Sequence, residues 1–198
     1  MRKALWFAVL ALAGAAAIGS IVLGASREKE VVRLAKLAQL RPGVVVGEVG
    51  AGKGRMAIAV ARHLGASSRV FATESDAKKV QAIRDAAARA GLTNITLIQG
   101  GERSAGLPNG CCDVIYMRRV YHHLNHADAI NESLYSALRP GGQLVVIDLL
   151  LKLPFFRHGI VSDVLIKQVT AAGFVLDRSE SPWSLVDYCL VFTKPVAR

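Results

Sequence analysis

The 198-residue chain is short of cysteine, of acidic residues and of repeats. Its three cysteines are Cys111, Cys112 and Cys189, and no C-x-x-C pair occurs. Adjacent cysteines are not a metal-ligand spacing, so no disulfide framework and no zinc site is expected from them. They read as small buried apolar residues of a reduced protein. Acidic residues number 15 against 25 lysines and arginines, a formal charge of +10. Such an excess attracts anionic partners: phospholipid head groups, nucleic acid or acidic substrates. The basic residues are scattered with no long Lys/Arg run, so a specific nucleic-acid site is not expected. No internal repeat and no low-complexity linker is present, and the length fits one domain.

What the chain does have is apolar residues, 52% of the total. After the basic start Met1-Arg2-Lys3, residues 4–25 are uncharged and almost wholly apolar, with Trp6 near one end. About 20 such residues span a bilayer core as a helix, and an aromatic at the end suits the interface. Residues 1–26 are therefore expected to be a transmembrane anchor. The competing reading is a cleaved signal peptide. The run is longer than a usual signal core, and Leu23-Gly24-Ala25 lacks the small residue that cleavage wants at its first position. Arg27, Lys29, Arg33, Lys36 and Arg41 follow the run, which by the positive-inside rule leans towards a cytosolic globular part. A periplasmic or secreted product after cleavage is the alternative.

Beyond the run, Arg27 to Leu40 is expected to be helical, with Ser26 as its cap and Arg41-Pro42-Gly43 as its stop. Strands are expected from Val44, then over Arg69–Thr73, Asn94–Ile98, Asp113–Met117 and Gln143–Leu149. Helices with one apolar face lie between them, the next opening at Ser75 or Asp76 and others over His126–Leu138 and Ile160–Ala172. Two last strands, Phe174–Ser179 and Leu185–Thr193, are joined through Ser181-Pro182-Trp183. Alternation of strand and helix at this spacing gives an α/β fold with a doubly wound, Rossmann-like and mostly parallel sheet. The closing hairpin makes one strand antiparallel.

The chemistry gathers around V-V-V-G-E-V-G-A-G-K-G-R, Val44 to Arg55. A β-branched run leads into Glu48, glycines follow at 50, 52 and 54, and an apolar helical pattern starts at once. Such a turn lets a ligand approach the backbone closely. A P-loop would fit Gly47-x-x-x-x-Gly52-Lys53, but Gly54 stands where that motif needs the hydroxyl that ligates Mg²⁺. A dinucleotide fingerprint fits Gly50 and Gly52 but meets Arg55 where its third glycine belongs. The third reading is E-x-G-x-G-x-G. A glycine turn that binds nothing is the fourth.

In an open α/β sheet, ligands bind at the carboxyl ends of the strands, where strand order reverses. The second strand ends in Glu74, a carboxylate placed to accept from ribose hydroxyls. Gly101 and Glu102 follow the third strand, where they could border an adenine. The fourth strand runs into Arg118-Arg119-Val120-Tyr121-His122-His123. His122 or His123 could serve as a general base near neutral pH, and Tyr121 could orient an acceptor. Two histidines with no carboxylate or cysteine at ligand spacing make no metal site. Asp148, ending L-V-V-I-D, imitates a Walker B carboxylate or faces the acceptor. His158 and Asp163 have no assigned role.

The order of these segments resembles the small bacterial class I S-adenosylmethionine (SAM) methyltransferases, the broad ubiquinone/menaquinone-methyltransferase-like group. Glu48-x-Gly50-x-Gly52-x-Gly54 matches their motif I, and V-F-A-T-E-S-D, G-L-P-N-G-C-C-D-V-I-Y and L-R-P-G-G-Q-L-V-V-I-D follow in the same order. The resemblance covers about Leu40 to Pro195. It implies a seven-stranded sheet with an antiparallel last strand over a domain of residues 27–198. Gly50, Gly52 and Gly54 would flank the methionine part of SAM, Glu48 would help hold that loop and the SAM amino group, Glu74 would bind the ribose, and Glu102 would lie near adenine. The departures are Gly47 before the acid, Lys53 within the turn and Arg118 after the fourth strand. The expected function is transfer of the SAM methyl group to an acceptor, a lipid or small molecule ahead of a protein. An ATP-binding P-loop protein and a non-catalytic SAM-binding protein are the alternatives.

Overall fold

A computed structural model describes residues 27–153 and 156–196. The expected anchor or signal segment, residues 1–26, lies outside the described residues. Among the described residues no helix is long and apolar enough to cross a membrane.

Helix α1 occupies residues 27–37. Then come β1 (Val45–Val49), α2 (Arg55–Leu64), β2 (Arg69–Glu74), α3 (Ala77–Arg89), β3 (Ile95–Gln99) and β4 (Cys112–Arg118). A 3₁₀ turn, Tyr121–His123, leads to α4 (Ala127–Ala137), β5 (Leu138–Leu153), β6 (Phe156–Gly159), α5 (Ser162–Ala171), β7 (Val175–Glu180) and β8 (Asp187–Thr193). The sheet runs β3-β2-β1-β4-β5-β8-β7, with β6 pairing only to β5. Strands β1 to β5 are parallel, and β8 is antiparallel to both β5 and β7. The expected seven-stranded sheet with an antiparallel last strand is thus present.

Side-chain alternation on the central strands divides the core. On β4, Val114 and Tyr116 pack with α1, α2 and Ile83 of α3, while Ile115 and Met117 pack with α4 and α5. A strand buried on both faces reads as a continuous apolar run, which is why C-D-V-I-Y-M was legible as a strand. Asp76 caps α3, its Oδ1 accepting from the Lys78 and Lys79 amides at 2.8 and 3.4 Å.

Two details differ from expectation. Arg139-Pro140-Gly141-Gly142 does not separate helix from strand as a free turn. It is a bulge inside β5, where pairing with β4 jumps from Cys112↔Leu138 to Val114↔Gln143. Strand β5 also extends past Leu149 and folds back on β6, an antiparallel arm with Leu151 opposite His158. No expected strand covered it, because L-L-L-K-L-P-F-F has no period-2 polarity to mark a strand.

Tyr121 belongs to the core. It is 2% exposed and packs with the α4–α5 side. Its hydroxyl accepts from Asn131 Nδ2 at 2.8 Å, and Asn131 also donates to the Gln168 carbonyl at 3.2 Å. The bond ties the 3₁₀ turn to α4 and α5. Tyr121→Phe is therefore expected to lower unfolding free energy by about 1 kcal/mol, the net worth of one buried hydrogen bond, while leaving ligand affinity unchanged. Urea denaturation beside a binding isotherm checks it; weakened binding at wild-type stability would count against this role.

Candidate SAM site at the β1–β4 crossover

Strand order reverses between β1 and β4, and the glycine turn leaves β1 at that point. The turn is stitched to the end of β2. Gly50 and Ala51 both donate to the Thr73 carbonyl, at 3.0 and 2.9 Å, and Gly54 donates to Ala51 O at 2.8 Å. The Gly52 amide donates to Glu74 Oε2 at 2.8 Å. Gly50, Gly52 and Gly54 all have positive φ, of 74°, 59° and 69°.

What surrounds each glycine differs. A Cβ on Gly50 would come within 2.5 Å of Val120 Cγ2, and one on Gly54 within 2.6 Å of Ile83 Cγ2. A Cβ on Gly52 would meet nothing within 4 Å. Gly50 and Gly54 therefore serve packing, and Gly52 faces open space.

Two clefts flank this turn. The first, about 500 Å³, is lined by Glu48, the glycine turn with Lys53, Arg118 and the α1 residues Arg27 and Glu30. Helix α1 is latched over it. Arg118 Nε donates to Glu30 Oε1 at 2.6 Å, and Trp183 Nε1 donates to the same oxygen at 3.3 Å. Arg33 stacks on the Trp183 ring at 4.1 Å. Glu48 is 3% exposed, and its Oε2 has no hydrogen-bond partner. Its cross-strand neighbour is Tyr116, whose hydroxyl is likewise unpartnered. Burial pushes the Glu48 carboxyl up to about 8, against the opposing pull of the Ala57 amide and Arg118.

The second cleft, about 520 Å³, lies on the other side of the turn. Glu74, Gly101, Glu102, Ala105, His123 and Leu124 are among its walls. Glu74 is 7% exposed, its Oε1 accepting from the Ser75 and Asp76 amides at 3.0 and 3.4 Å. These donors aim the carboxylate from behind, on the cleft that Gly101 and Glu102 border. Arg119 and Val120 line both clefts. Arg119 has a φ of 55° and grips Asp187 with two bonds of 2.8 Å.

The expected acceptor-side residues separate. His123 lines the second cleft. His122 sits behind it, with a side chain 4% exposed and its Nδ1 2.6 Å from Asp148 Oδ1. Asp148 is fully buried and also accepts from the His122 and Leu149 amides, at 3.1 and 2.7 Å. Asp148 is thus neither open to an acceptor nor placed as a Walker B group. Tyr121 lines neither cleft.

The same geometry argues against a P-loop. A phosphate cradle presents free backbone N–H groups to the ligand. Here the amides of residues 50, 51, 52 and 54 are all spent within the protein.

Residues 46–142 match the family model described as a methyltransferase domain. Together with the relatives and solved structures below, this match supports a class I SAM-dependent methyltransferase. A ubiquinone/menaquinone biosynthesis C-methyltransferase of Hydrogenovibrio crunogenus is 26% identical over 114 residues, 57% of this chain and 45% of that protein. A second such enzyme, from Ralstonia pickettii, is 27% identical over 111 residues, 56% of this chain and 45% of that protein. The matches thus span less than half the length of these curated relatives. A SAM-dependent methyltransferase from Aquifex aeolicus shares the fold at a TM-score of 0.76, with 20% identity over 83% of this chain and 89% of that one. The [4+2]-cyclase SpnF shares it at 0.74, with 18% identity over 86% and 81%.

The methyltransferase's cofactor, SAM, suits the donor set. Its ammonium meets the need of a buried carboxylate oxygen that has no donor, Glu48 Oε2. Its ribose hydroxyls suit Glu74. Its adenine suits the second cleft, where Ala105, Leu124 and Ile130 offer apolar walls. These three were not singled out in the sequence; a small residue and two aliphatics in loop and helix carry no motif. Arg118 and Lys53, departures from the family pattern, both line the Glu48 cleft, where a cofactor carboxylate would find positive charge.

Two outcomes follow. Gly54→Ala is expected to cost about 1–3 kcal/mol through its positive φ, with the Ile83 contact added. Gly52→Ala, in open space, would cost less stability and weaken SAM binding at least tenfold. Equal stabilities and equal affinities for the two variants would refute this division. The Glu48 carboxyl also makes stability pH-dependent. The unfolded chain ionises it near 4.5 and the folded chain near 8, so the unfolded state binds fewer protons in between. The ligand-free protein should lose stability as pH rises through that window, and Glu48→Gln should flatten the loss. Melting midpoints of both proteins across the window decide it.

Proposed function

We propose that the chain transfers the methyl group of SAM to a lipid-like or other small acceptor at a membrane surface. The observation that carries the reading is Glu74: a buried carboxylate, aimed by three main-chain amides, on a cleft that the glycine turn closes. That arrangement suits a ribose, and the amides of residues 50, 51, 52 and 54 are spent within the protein.

SAM supplies a methyl group on a sulfonium, open to in-line displacement. The protein's part is to hold the methyl carbon and the acceptor's nucleophilic atom close and collinear, and to exclude water. Glu48 and Arg118 would take the amino-acid end, Glu74 the ribose, and Gly101 and Glu102 the adenine edge. His123 is the acceptor-side histidine, because it lines the cleft and His122 does not. Burial lowers its pKa, with the His122 and His158 rings adding to the effect. The membrane reading rests on the apolar residues 4–25 and on the +10 charge.

Ligand-induced thermal stabilisation tests the cofactor. SAM and S-adenosylhomocysteine should raise the melting midpoint with rising concentration, as any ligand of the folded state does. Glu74→Ala should abolish the rise, and ATP with Mg²⁺ should give none. A rise with Mg-ATP alone would sink the reading. With methyl-labelled SAM and membrane extracts, label is expected in the lipid fraction. Binding with no label in any fraction would leave a SAM-binding protein without transferase activity.

A further inference from the structure

The second cleft has a histidine cluster behind its wall. His122 and His123 stand side by side in the 3₁₀ turn after β4, with ring centroids 3.9 Å apart. The β5–β6 arm folds back and adds His158, whose ring is 4.7 Å from His122 and 5.9 Å from His123. One ring nitrogen of each histidine lies within 4.8 Å of the other two. We propose that His122, His123 and His158 bind one divalent metal ion of the imidazole-preferring kind, Zn²⁺ being the probe.

His122 carries the argument. Asp148 already accepts backbone N–H bonds on both oxygens, so at the 2.6 Å contact the His122 Nδ1–H is the donor. That bond fixes the ring and leaves Nε2 as the nitrogen with a lone pair to offer a metal ion. Nε2 is buried and has no hydrogen-bond partner, although the side chain is 4% exposed. A buried nitrogen without a partner is costly, and a metal bond relieves it. A carboxylate behind a histidine, with the opposite nitrogen presented forward, is the arrangement by which proteins orient metal-binding imidazoles. His123 and His158 are exposed. Tetrahedral zinc with Zn–N bonds of 2.0–2.1 Å needs ligand nitrogens roughly 3.3 Å apart, so the cluster has to close by about 1.5 Å.

Ordinary ring packing is the competing explanation. It accounts for the tilted contact of the His122 and His123 rings but not for an unpartnered, buried Nε2 on a ring fixed by a buried carboxylate. Three protein ligands leave a fourth position for water or an oxygen ligand. His123 is also a wall of the second cleft, so the ion would sit beside the acceptor side of the site. It would also pin the β5–β6 arm to the turn after β4.

Calorimetric titration of the full, tag-free chain with Zn²⁺ tests the site without SAM, so the result is independent of the cofactor assignment. One ion per chain is expected, and Co²⁺ in its place should show the visible bands of tetrahedral coordination. His123→Ala and His158→Ala, both at exposed rings, should each weaken binding at least tenfold. Asp148→Asn should weaken it ~10–100-fold. His63→Ala, at a histidine in α2 outside the cluster, should change nothing. Circular dichroism of each variant guards against unfolding. Zinc bound equally well by His158→Ala and the unaltered chain overturns the proposal, as does a chain that binds zinc no better than the His123→Ala/His158→Ala double variant.

Discussion

The bond from the Gly52 amide to Glu74 joins the ends of β1 and β2, and the site depends on it. It fixes a turn that would otherwise be free to open, and it orients a carboxylate that would otherwise be costly to bury. The two effects are one interaction. The Thr73 carbonyl supports it by taking both the Gly50 and the Ala51 amides. A turn that consumes its own donors is shaped before any ligand arrives. This is the physical difference between the present cradle and one built for phosphate, and no residue type announces it. It lies in where the N–H groups point.

Around this point the structure places charge in connected sets. Glu30 receives both Arg118 and Trp183, so α1, β4 and the β7–β8 loop meet at one carboxylate. The Arg118–Glu30 pair is partly exposed, and such pairs are individually weak. Its consequence is positional: it sets how α1 lies over the cleft that Glu48 floors. Glu48 has no comparable partner to offset its burial, which raises its pKa.

The sheet was legible because its central strands are buried on both faces and appear as β-branched runs between glycines. Motif spacing then located Glu48, the glycines and Glu74, since the chain must turn sharply wherever β1 and β2 end. Gly101 and Glu102 followed from topology alone. Elsewhere local pattern ran out. Tyr121, His122 and His123 are consecutive, yet one is core, one is held behind the wall and one lines the cleft, because a 3₁₀ turn sends successive side chains in different directions. His158 lies 35 residues from His123 and reaches it only through a β5–β6 arm that lacks strand periodicity. Asp148 looked like a metal-binding carboxylate. Its real partner is a histidine on the neighbouring connection, a contact set by strand order and not by sequence distance.

Arg119 stands between the two clefts with a backbone conformation that a branched or long side chain rarely adopts. Asp187 holds its guanidinium with two bonds, and Ser184 in turn donates to the same carboxylate at 2.6 Å. Loss of Asp187 would leave Arg119 strained and without that partner; loss of Arg119 would leave a buried carboxylate short of its guanidinium. Positions 119, 184 and 187 therefore form one heritable unit. Variants acceptable at one depend on what occupies the others, and a hairpin grafted from a relative would have to bring its own residue for position 119.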